Sequence, residues 1–217
     1  MALTSAASNG GPAGVYGWSG TRSRKPLRAS SKLVPSFAEL MSPSFVSVDF
    51  ETANRLGGVS ACQIALVKVV DGNVVARQSS YLCPPVGYDR FEFTWLHGIS
   101  QKQTSDAPAW DEASSDIAEF VGDSPVYAHN ASFDARVWRE LDNYFDTETL
   151  PDRFYCSYRL AQRTVPGLVN YKLPTVAHAC APWFELDHHQ ADSDAEACAL
   201  IVASIQAMSG VDSLLSS

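Results

Sequence analysis

The sequence predicts an α/β fold in which helices flank a mixed β-sheet, built from three antiparallel strands followed by parallel strands. Three strand-like runs come first and are separated by short connections, and helix-like and strand-like segments then alternate, as in sheets covered by helices. The chain has 217 residues, of which 46% are hydrophobic and 18% charged. This composition is typical of one globular domain and excludes wholesale disorder.

The first three strands are predicted to form an antiparallel meander. Ser44–Asp49 is a short run of β-branched and aromatic residues that is typical of a buried strand. Ala61–Val70 and Val74–Leu82 flank Asp71-Gly72-Asn73, a combination that predicts a hairpin.

The second half of the chain is predicted to alternate between helices and short strands. Apolar residues recur there close to the helical period of 3.6 residues. The predicted elements are a helix at Trp110–Val121, a strand at Pro125–Ala128, a helix at Ser132–Leu141, a strand at Phe154–Ser157 and helices at Leu173–Cys180 and Ala191–Met208.

Three regions are predicted along the chain: a flexible N-terminal extension over residues 1–43, a domain over 44–210 and a C-terminal tail over 211–217. The extension is rich in Ser, Ala and Gly and has no hydrophobic period. Because it contains Arg but no acid before Glu39, an organelle-targeting peptide within residues 1–40 and a plain disordered tail both remain interpretations.

The expected location is otherwise the cytoplasm. The five cysteines are scattered and form no C-x-x-C pair, which favours a reducing compartment. No apolar run approaches the roughly 20 residues that cross a bilayer, so we expect no membrane partner.

The charge of the chain is unevenly distributed. The net charge is −8, but from Glu39 onward 11 basic residues face 24 acids, a net charge of −13. Such a body is a poor non-specific ligand for phosphate backbones, which are held mainly by Lys and Arg. Carboxylates that hold divalent cations would reverse the sign of the local charge.

Two acids end the first predicted strand. Asp49 and Glu51 are two residues apart, so their side chains lie on the same face of the strand. Their mutual repulsion is costly unless protons or metal cations compensate it. The alternative is that both acids lie on the solvated side of an edge strand.

Two further acidic segments stand at predicted helix starts. Asp134 follows the strand end in A-H-N-A-S-F-D, where stabilisation of the helix dipole is an alternative role. His188-His189 precedes several acids, and a zinc site, a charge cluster at a helix start and a catalytic His–Asp arrangement are all candidates. No further Cys or His residues stand at the spacing that is typical of a zinc site. His189 and Asp194, five residues apart, can face one cavity, whereas Asp192 would point elsewhere.

In this order and spacing the three segments resemble the motifs of the DEDDh exonuclease family (DnaQ-like). They are Asp49-x-Glu51, Asp134 in N-A-S-F-D and His189 followed five residues later by Asp194. The family includes the epsilon subunit of bacterial DNA polymerase III and the exonuclease domain of polymerases from Gram-positive bacteria. The resemblance extends over roughly Phe45–Met208, and it implies a ribonuclease H-like sheet.

The resemblance implies a metal-dependent 3′–5′ exonuclease that hydrolyses phosphodiester bonds at 3′ ends of DNA or RNA and releases nucleoside 5′-monophosphates. Asp49, Glu51, Asp134 and Asp194 would hold two divalent cations, Mg²⁺ or Mn²⁺, which prefer oxygen ligands. His189 would be the general base, since an imidazole titrates near neutrality. A non-catalytic nucleic-acid- or polymerase-binding module on the same fold, and an unrelated acidic scaffold, are the alternatives.

Substrate contacts and partners follow from the same resemblance. Thr52 and Ala53 are expected beside the terminal nucleotide, Asn130 at its phosphate, and His97 and Ile99 at its base, with packing as the alternative role of the last two. The expected ligand is a single-stranded or frayed 3′ end. A DNA polymerase or a second copy of the chain is the expected protein partner, and the motifs do not decide between DNA and RNA.

Overall fold

A five-stranded mixed sheet forms the centre of the protein, as a computed structural model describing residues 33–215 shows. The strands are β1 (Ser44–Thr52), β2 (Ala61–Val70), β3 (Asn73–Tyr81), β4 (Val126–Ala128) and β5 (Phe154–Cys156). Their order across the sheet is β3-β2-β1-β4-β5. β1, β2 and β3 pair antiparallel, and β4 pairs parallel with both β1 and β5. The predicted mixed sheet is confirmed.

Helices cover both faces of this sheet. They are α1 (Phe37–Leu40), α2 (Thr94–His97), α3 (Gln101–Thr104), α4 (Trp110–Val121), α5 (Ser132–Phe145), α6 (Ser157–Thr164), α7 (Leu173–Cys180), α8 (Ala191–Gln206) and α9 (Val211–Leu215). α4 and α7 begin and end as predicted. α5 continues to Phe145, beyond the predicted end at Leu141, and α8 ends at Gln206, before the predicted end at Met208. α6 was not predicted, because its apolar face is only two turns long and follows β5 without a break.

The alternating side chains of β1 face two separate cores. Val48 and Phe50 belong to the core that includes α4 and α5. Phe45 packs on the opposite face, in the core around α8. Asp49 and Glu51 share the face of Phe45, so they point toward the side of the sheet that α8 covers.

α8 is fixed to this side of the sheet by polar contacts at its first turns. The Ser47 hydroxyl donates to the backbone oxygen of Ala195 at 2.7 Å. Arg77 of β3 forms an ion pair with Glu196, with 2.8 Å between Nε and Oε2. The start of α8 is therefore held beside the carboxyl end of β1.

The packed domain begins before the predicted boundary at residue 44. Leu40 is fully buried in the core around α8, and the Gln206 side chain donates to its backbone oxygen at 2.6 Å. Ser36 and Glu39 form a reciprocal capping box at the start of α1. A single apolar residue in a Ser-rich context carries no periodic signal, so the sequence did not indicate this attachment.

The C-terminal boundary also differs from the expected tail over 211–217. α9 lies within that stretch, and its first residue, Val211, is buried in the core around α8. Residues 1–32 and 216–217 lie outside the described part of the chain, so the targeting interpretation stays a prediction. Among residues 33–215, no helix combines the length and apolar character required to cross a membrane.

Candidate active site

Three carboxylates meet at the carboxyl end of β1. Asp49, Glu51 and Asp194 each offer an oxygen, and these atoms lie within 4.8 Å of one another. Glu51 is 9% exposed and Asp194, in the first turn of α8, is 5% exposed. The packing of α8 on β1 thus brings together acids that are far apart in the sequence.

Asp134 joins this carboxylate cluster from the first turn of α5. Its Oδ1 accepts a hydrogen bond of 3.2 Å from the backbone N–H of Phe50, the residue between Asp49 and Glu51. Burial raises the pKa of Asp134 from 3.8 to about 7, and the charge of Asp194 adds to the effect, whereas the Phe50 hydrogen bond opposes it. All four predicted metal ligands therefore lie at one place.

The carboxylate cluster concentrates negative charge where solvent is largely excluded. Burial raises the pKa of Glu51 from 4.5 to about 8, and the charges of Asp194 and Asp134 raise it further. Burial, followed by the charges of its three acidic neighbours, raises the pKa of Asp49 well above 3.8. Such a group of acids requires protons or cations as compensation.

The structure pairs Asp194 with the imidazole of His188. His188 Nδ1 lies 2.9 Å from Asp194 Oδ2 and 3.1 Å from Oδ1. His189 contacts the same carboxylate through its backbone N–H, at 3.1 Å from Oδ2. The five-residue spacing favoured the ring of His189 beside Asp194. In the structure the ring of His188 contacts Asp194, and His189 contributes a backbone contact.

The two imidazoles are stacked on each other. Their ring centres are 3.8 Å apart, and His189 has a left-handed backbone with φ of 70°. Burial lowers the pKa of His189 below 6.5, and His188 lowers it further, against the opposing charge of Asp194. A neutral His189 ring is thereby favoured near pH 7. The general-base role of His189 stays a prediction.

Four of the five expected substrate contacts pack against one another, and Asn130 is not among them. The His97 ring accepts from the Ile99 N–H at 3.0 Å and lies 3.2 Å from the Thr52 backbone oxygen. Burial lowers the pKa of His97, which favours the neutral ring. Ala53 and Ile99 are buried together, whereas Asn130 is exposed and has a φ of 75°. These contacts give His97 and Ile99 a packing role, and contact of all five with a nucleotide stays a prediction.

A cavity of about 230 Å³ beside Thr52 was missed at the level of sequence. It is lined by Thr52, Asn54, Arg55, Gly57, Phe93, Phe133 and Arg136. Two guanidinium groups and two phenyl rings therefore line a cavity that includes Thr52, the residue after Glu51. Phe133 and Arg136, three residues apart at the start of α5, were the available signal, since that spacing places them on one helix face.

Comparison with known proteins assigns these residues to a family. The family model described as an exonuclease matches residues 46–202, a stretch that contains all four carboxylates and both stacked histidines. The chain belongs to the exonuclease family. Exodeoxyribonuclease 10 of Escherichia coli K12 is 31% identical over 170 residues, which cover 75% of this chain and 69% of that protein. The predicted DEDDh-type exonuclease domain is confirmed.

Other exonuclease relatives are larger or more distant. The PolC-type DNA polymerase III of Clostridium perfringens is 34% identical over 141 residues, and this exonuclease chain spans only 10% of its length. Exonuclease X, solved in complex with 5′ overhanging duplex DNA, has a TM-score of 0.61 and 26% identity, covering 76% of this chain and 93% of that one. The nuclease domain of 3′hExo bound to rAMP shares the fold, with a TM-score of 0.65 and 12% identity over 75% of this chain and 91% of that one.

Proposed function

We propose that this protein is a metal-dependent 3′–5′ exonuclease that removes nucleoside 5′-monophosphates from nucleic acid by a two-metal mechanism. The observation that carries the proposal is the convergence of Asp49, Glu51 and Asp194, whose ligand oxygens lie within 4.8 Å of one another, with Asp134 beside them. Membership of the exonuclease family supports the same reaction. All four carboxylates of the exonuclease motifs are present in this chain, which argues against a non-catalytic module.

The chemistry of the carboxylate cluster fits two Mg²⁺ or Mn²⁺ ions. Asp49, Glu51, Asp134 and Asp194 offer only hard oxygen ligands, and burial raises the pKa of each, so their ionised forms call for compensating cations. When bound, such ions lower the pKa of a water molecule and stabilise the charge that develops on the leaving oxygen.

His189 is the proposed general base. Its lowered pKa keeps the imidazole neutral near pH 7, so a ring nitrogen can accept the proton of the attacking water. His189 is also fixed in place, because its backbone N–H is bonded to Asp194. Acceptance of the proton by His189 leaves the acids free to bind cations.

The proposed substrate is the 3′ end of single-stranded or frayed DNA, with RNA as the alternative. Exonuclease X was solved with duplex DNA that carries an overhang, and it is more similar in sequence to this chain than the 3′hExo domain is. The 3′hExo domain was solved with rAMP. Among the expected contacts, Asn130 is exposed, whereas Thr52, Ala53, His97 and Ile99 are buried.

The test is degradation of DNA and RNA oligonucleotides of equal sequence, labelled at the 5′ end, in Mg²⁺. We expect products that shorten one nucleotide at a time from the 3′ end. Asp49→Asn should abolish this ladder, because it removes one oxygen ligand and one negative charge. Immediate release of the labelled 5′ nucleotide, or products of internal cleavage, would contradict the proposed direction of attack.

Asp192→Asn is the matched control. Asp192 lies two residues from Asp194, but its carboxylate accepts a hydrogen bond of 3.2 Å from Gln63 and is not in the carboxylate cluster. We expect it to degrade oligonucleotides at close to the wild-type rate. Equal loss in Asp49→Asn and Asp192→Asn would show that negative charge in general, rather than the proposed ligand set, supports the reaction.

A DNA polymerase is the proposed protein partner. The relatives include the PolC-type polymerase and the epsilon subunit of DNA polymerase III from Aquifex aeolicus, which is 25% identical over 152 residues. A homodimer is the alternative assembly. Sedimentation of the purified chain, alone and with a polymerase subunit, distinguishes the two.

A further inference from the structure

The segment that leads into α8 brings together a second set of metal-ligand atoms beside the carboxylate cluster. His188, His189 and Asp194 each offer one donor, and these atoms also lie within 4.8 Å of one another. This set, the His188–His189–Asp194 triad, contains two imidazoles and one carboxylate. The carboxylate cluster, in contrast, offers oxygen alone.

An unusual backbone conformation produces the His188–His189–Asp194 triad. Consecutive side chains of an extended chain point to opposite sides, which would separate the two imidazoles. The left-handed φ of 70° at His189 turns its ring alongside that of His188, to a centre-to-centre distance of 3.8 Å. A left-handed conformation is costly for a residue other than glycine, and such strain concentrates at functional sites.

An ordinary ion pair does not account for the whole arrangement. The contact between His188 and Asp194 needs no second imidazole. Within residues 33–215 the ring of His189 makes no hydrogen bond, and only its backbone contacts Asp194. The stacked ring of His189 therefore adds a second nitrogen donor beside this contact.

The triad is open to ions from solvent. The side chain of His188 is 39% exposed, whereas that of Asp194 is 6% exposed. Two nitrogens and one oxygen from the protein, with a fourth position left to water, is a donor set typical of Zn²⁺. Mg²⁺ prefers carboxylate and water, so the two sets of ligands select different metals.

We propose that His188, His189 and Asp194 form a binding site for an imidazole-preferring divalent cation such as Zn²⁺, and that this ion inhibits the exonuclease. Asp194 belongs to both ligand sets, so its oxygens cannot serve both fully at once. Binding at the triad withdraws Asp194 from the carboxylate cluster and also occupies the imidazole of His189. The inhibition, but not the binding site, rests on the proposed function.

Binding is tested on the full chain, freed of metal, with Co²⁺ as a spectroscopic probe that Zn²⁺ then displaces. Nitrogen ligands in a four-coordinate site give Co²⁺ strong visible bands, whereas an oxygen-only site gives weak ones. We expect one equivalent with the strong bands. His188→Ala should weaken binding by at least about 100-fold, since loss of a mere supporting group already costs about 10- to 100-fold.

Two matched variants locate the ion. His178→Ala removes an exposed histidine of α7, and Asp49→Asn removes a carboxylate that belongs to the other ligand set alone. Both should keep the strong Co²⁺ bands. Weak bands in the wild type, or bands lost in Asp49→Asn and kept in His188→Ala, would overturn the proposal by placing the ion among the carboxylates.

Inhibition is measured as the Zn²⁺ concentration that halves oligonucleotide degradation in Mg²⁺, with each variant compared to its own rate without Zn²⁺. We expect His188→Ala to need at least about 100-fold more Zn²⁺ than the wild type or His178→Ala, in line with its weaker binding. Equal sensitivity of all three refutes inhibition through the triad. If no variant degrades any oligonucleotide, the proposed function fails, while the Co²⁺ result still decides the binding site.

Discussion

Asp194 connects more of the site than any other single residue described above. Its carboxylate contacts the ring of His188 and the backbone of His189, and it lies within reach of Asp49 and Glu51. Burial raises the pKa of Asp194, whereas the two histidines lower it. Its ionisation therefore depends on which neighbour, proton or cation compensates the charge.

Substitution of His189 tests the proposed base. We expect His189→Ala to lower turnover by the roughly 10²- to 10⁴-fold that general acid–base catalysis contributes, and His188→Ala to lower it less. The base acts when unprotonated, so the wild-type rate should rise with pH through an ionisation below 6.5, in line with the lowered pKa of His189. Turnover measured in Mg²⁺ from pH 5 to 8 tests this rise in rate.

The rise of turnover with pH should flatten in His189→Ala and persist in His188→Ala. A large loss in His188→Ala with none in His189→Ala would transfer the base role to the ring that contacts Asp194 in the structure. If neither variant loses turnover, no imidazole of this pair accepts the proton.

The sequence predicted the four carboxylates because each lies near the end of a strand or in the first turn of a helix, in motifs of fixed spacing. It did not predict the orientation of the histidine rings. That orientation depends on the φ of His189, and a left-handed backbone at a non-glycine residue has no signal in residue spacing. The cavity beside Thr52 was missed for a related reason, since Arg55 and Phe93 meet there only after the loops pack.

At the scale of elements, the connection between α5 and β5 is organised by one buried acid. Asp142 is 1% exposed, and it accepts hydrogen bonds from the Trp110 indole at 3.0 Å and from the backbone N–H groups of Thr149 and Leu150, both at 2.8 Å. The Thr147 hydroxyl donates to it at 2.7 Å. This acid fixes the connection against α4.

We expect Asp142→Ala to lower the free energy of unfolding by roughly 3 kcal/mol, because several buried donors lose a charged acceptor. Urea denaturation monitored by tryptophan fluorescence measures this loss. Asp152→Ala, at an exposed acid of the same connection, should change stability by less than about 0.5 kcal/mol. Similar values for the two variants would show that Asp142 is not the organising residue.

Elements with a clear local pattern were predicted closely, including the short strands β4 and β5, whereas helices of four residues were not predicted. β2 and α4 combine length with consistent patterning, and both match their predicted bounds. α2 and α3 have four residues each and are held by tertiary contacts, such as the hydrogen bond of 3.2 Å from Gln190 to the His97 backbone oxygen. Contacts of this kind cannot be read from local sequence.

At the scale of the whole molecule, the buried acids make stability depend on pH. The pKa of Glu51 is about 8 in the folded protein and about 4.5 when solvated, so the folded state retains a proton that the unfolded chain releases. The metal-free protein should therefore be most stable below pH 4.5 with respect to this group, and should lose that stability as the pH rises through 8. Mg²⁺ should restore it by binding the folded state.

Urea denaturation in a chelator, at several values between pH 5 and 8.5, measures this slope. Glu51→Gln should reduce the slope, because the amide does not ionise. Glu119→Gln, at an exposed position of α4, should leave it unchanged. Stability that rises with pH in the chelator contradicts the assignment of raised pKa values to the carboxylate cluster.

The attachment of residues 33–43 to the core is a second property of the whole domain. Leu40 is fully buried, whereas Phe37 of the same short helix is 40% exposed. We expect Leu40→Ala to lower the free energy of unfolding by about 2–5 kcal/mol and Phe37→Ala by less than about 1 kcal/mol. Thermal unfolding of the two variants compares them, and an equal effect would indicate that residues 33–43 are not part of the core.

The hydrogen bond between Ser47 and the Ala195 backbone joins groups 148 residues apart in the chain. Asp49 lies two residues beyond one partner, and Asp194 directly precedes the other. During synthesis from the N-terminus, the ribosome adds β1 long before α8. A nascent chain therefore carries Asp49, Glu51 and Asp134 long before it has the residue that completes their ligand set, so metal affinity arises only once α8 has been synthesised.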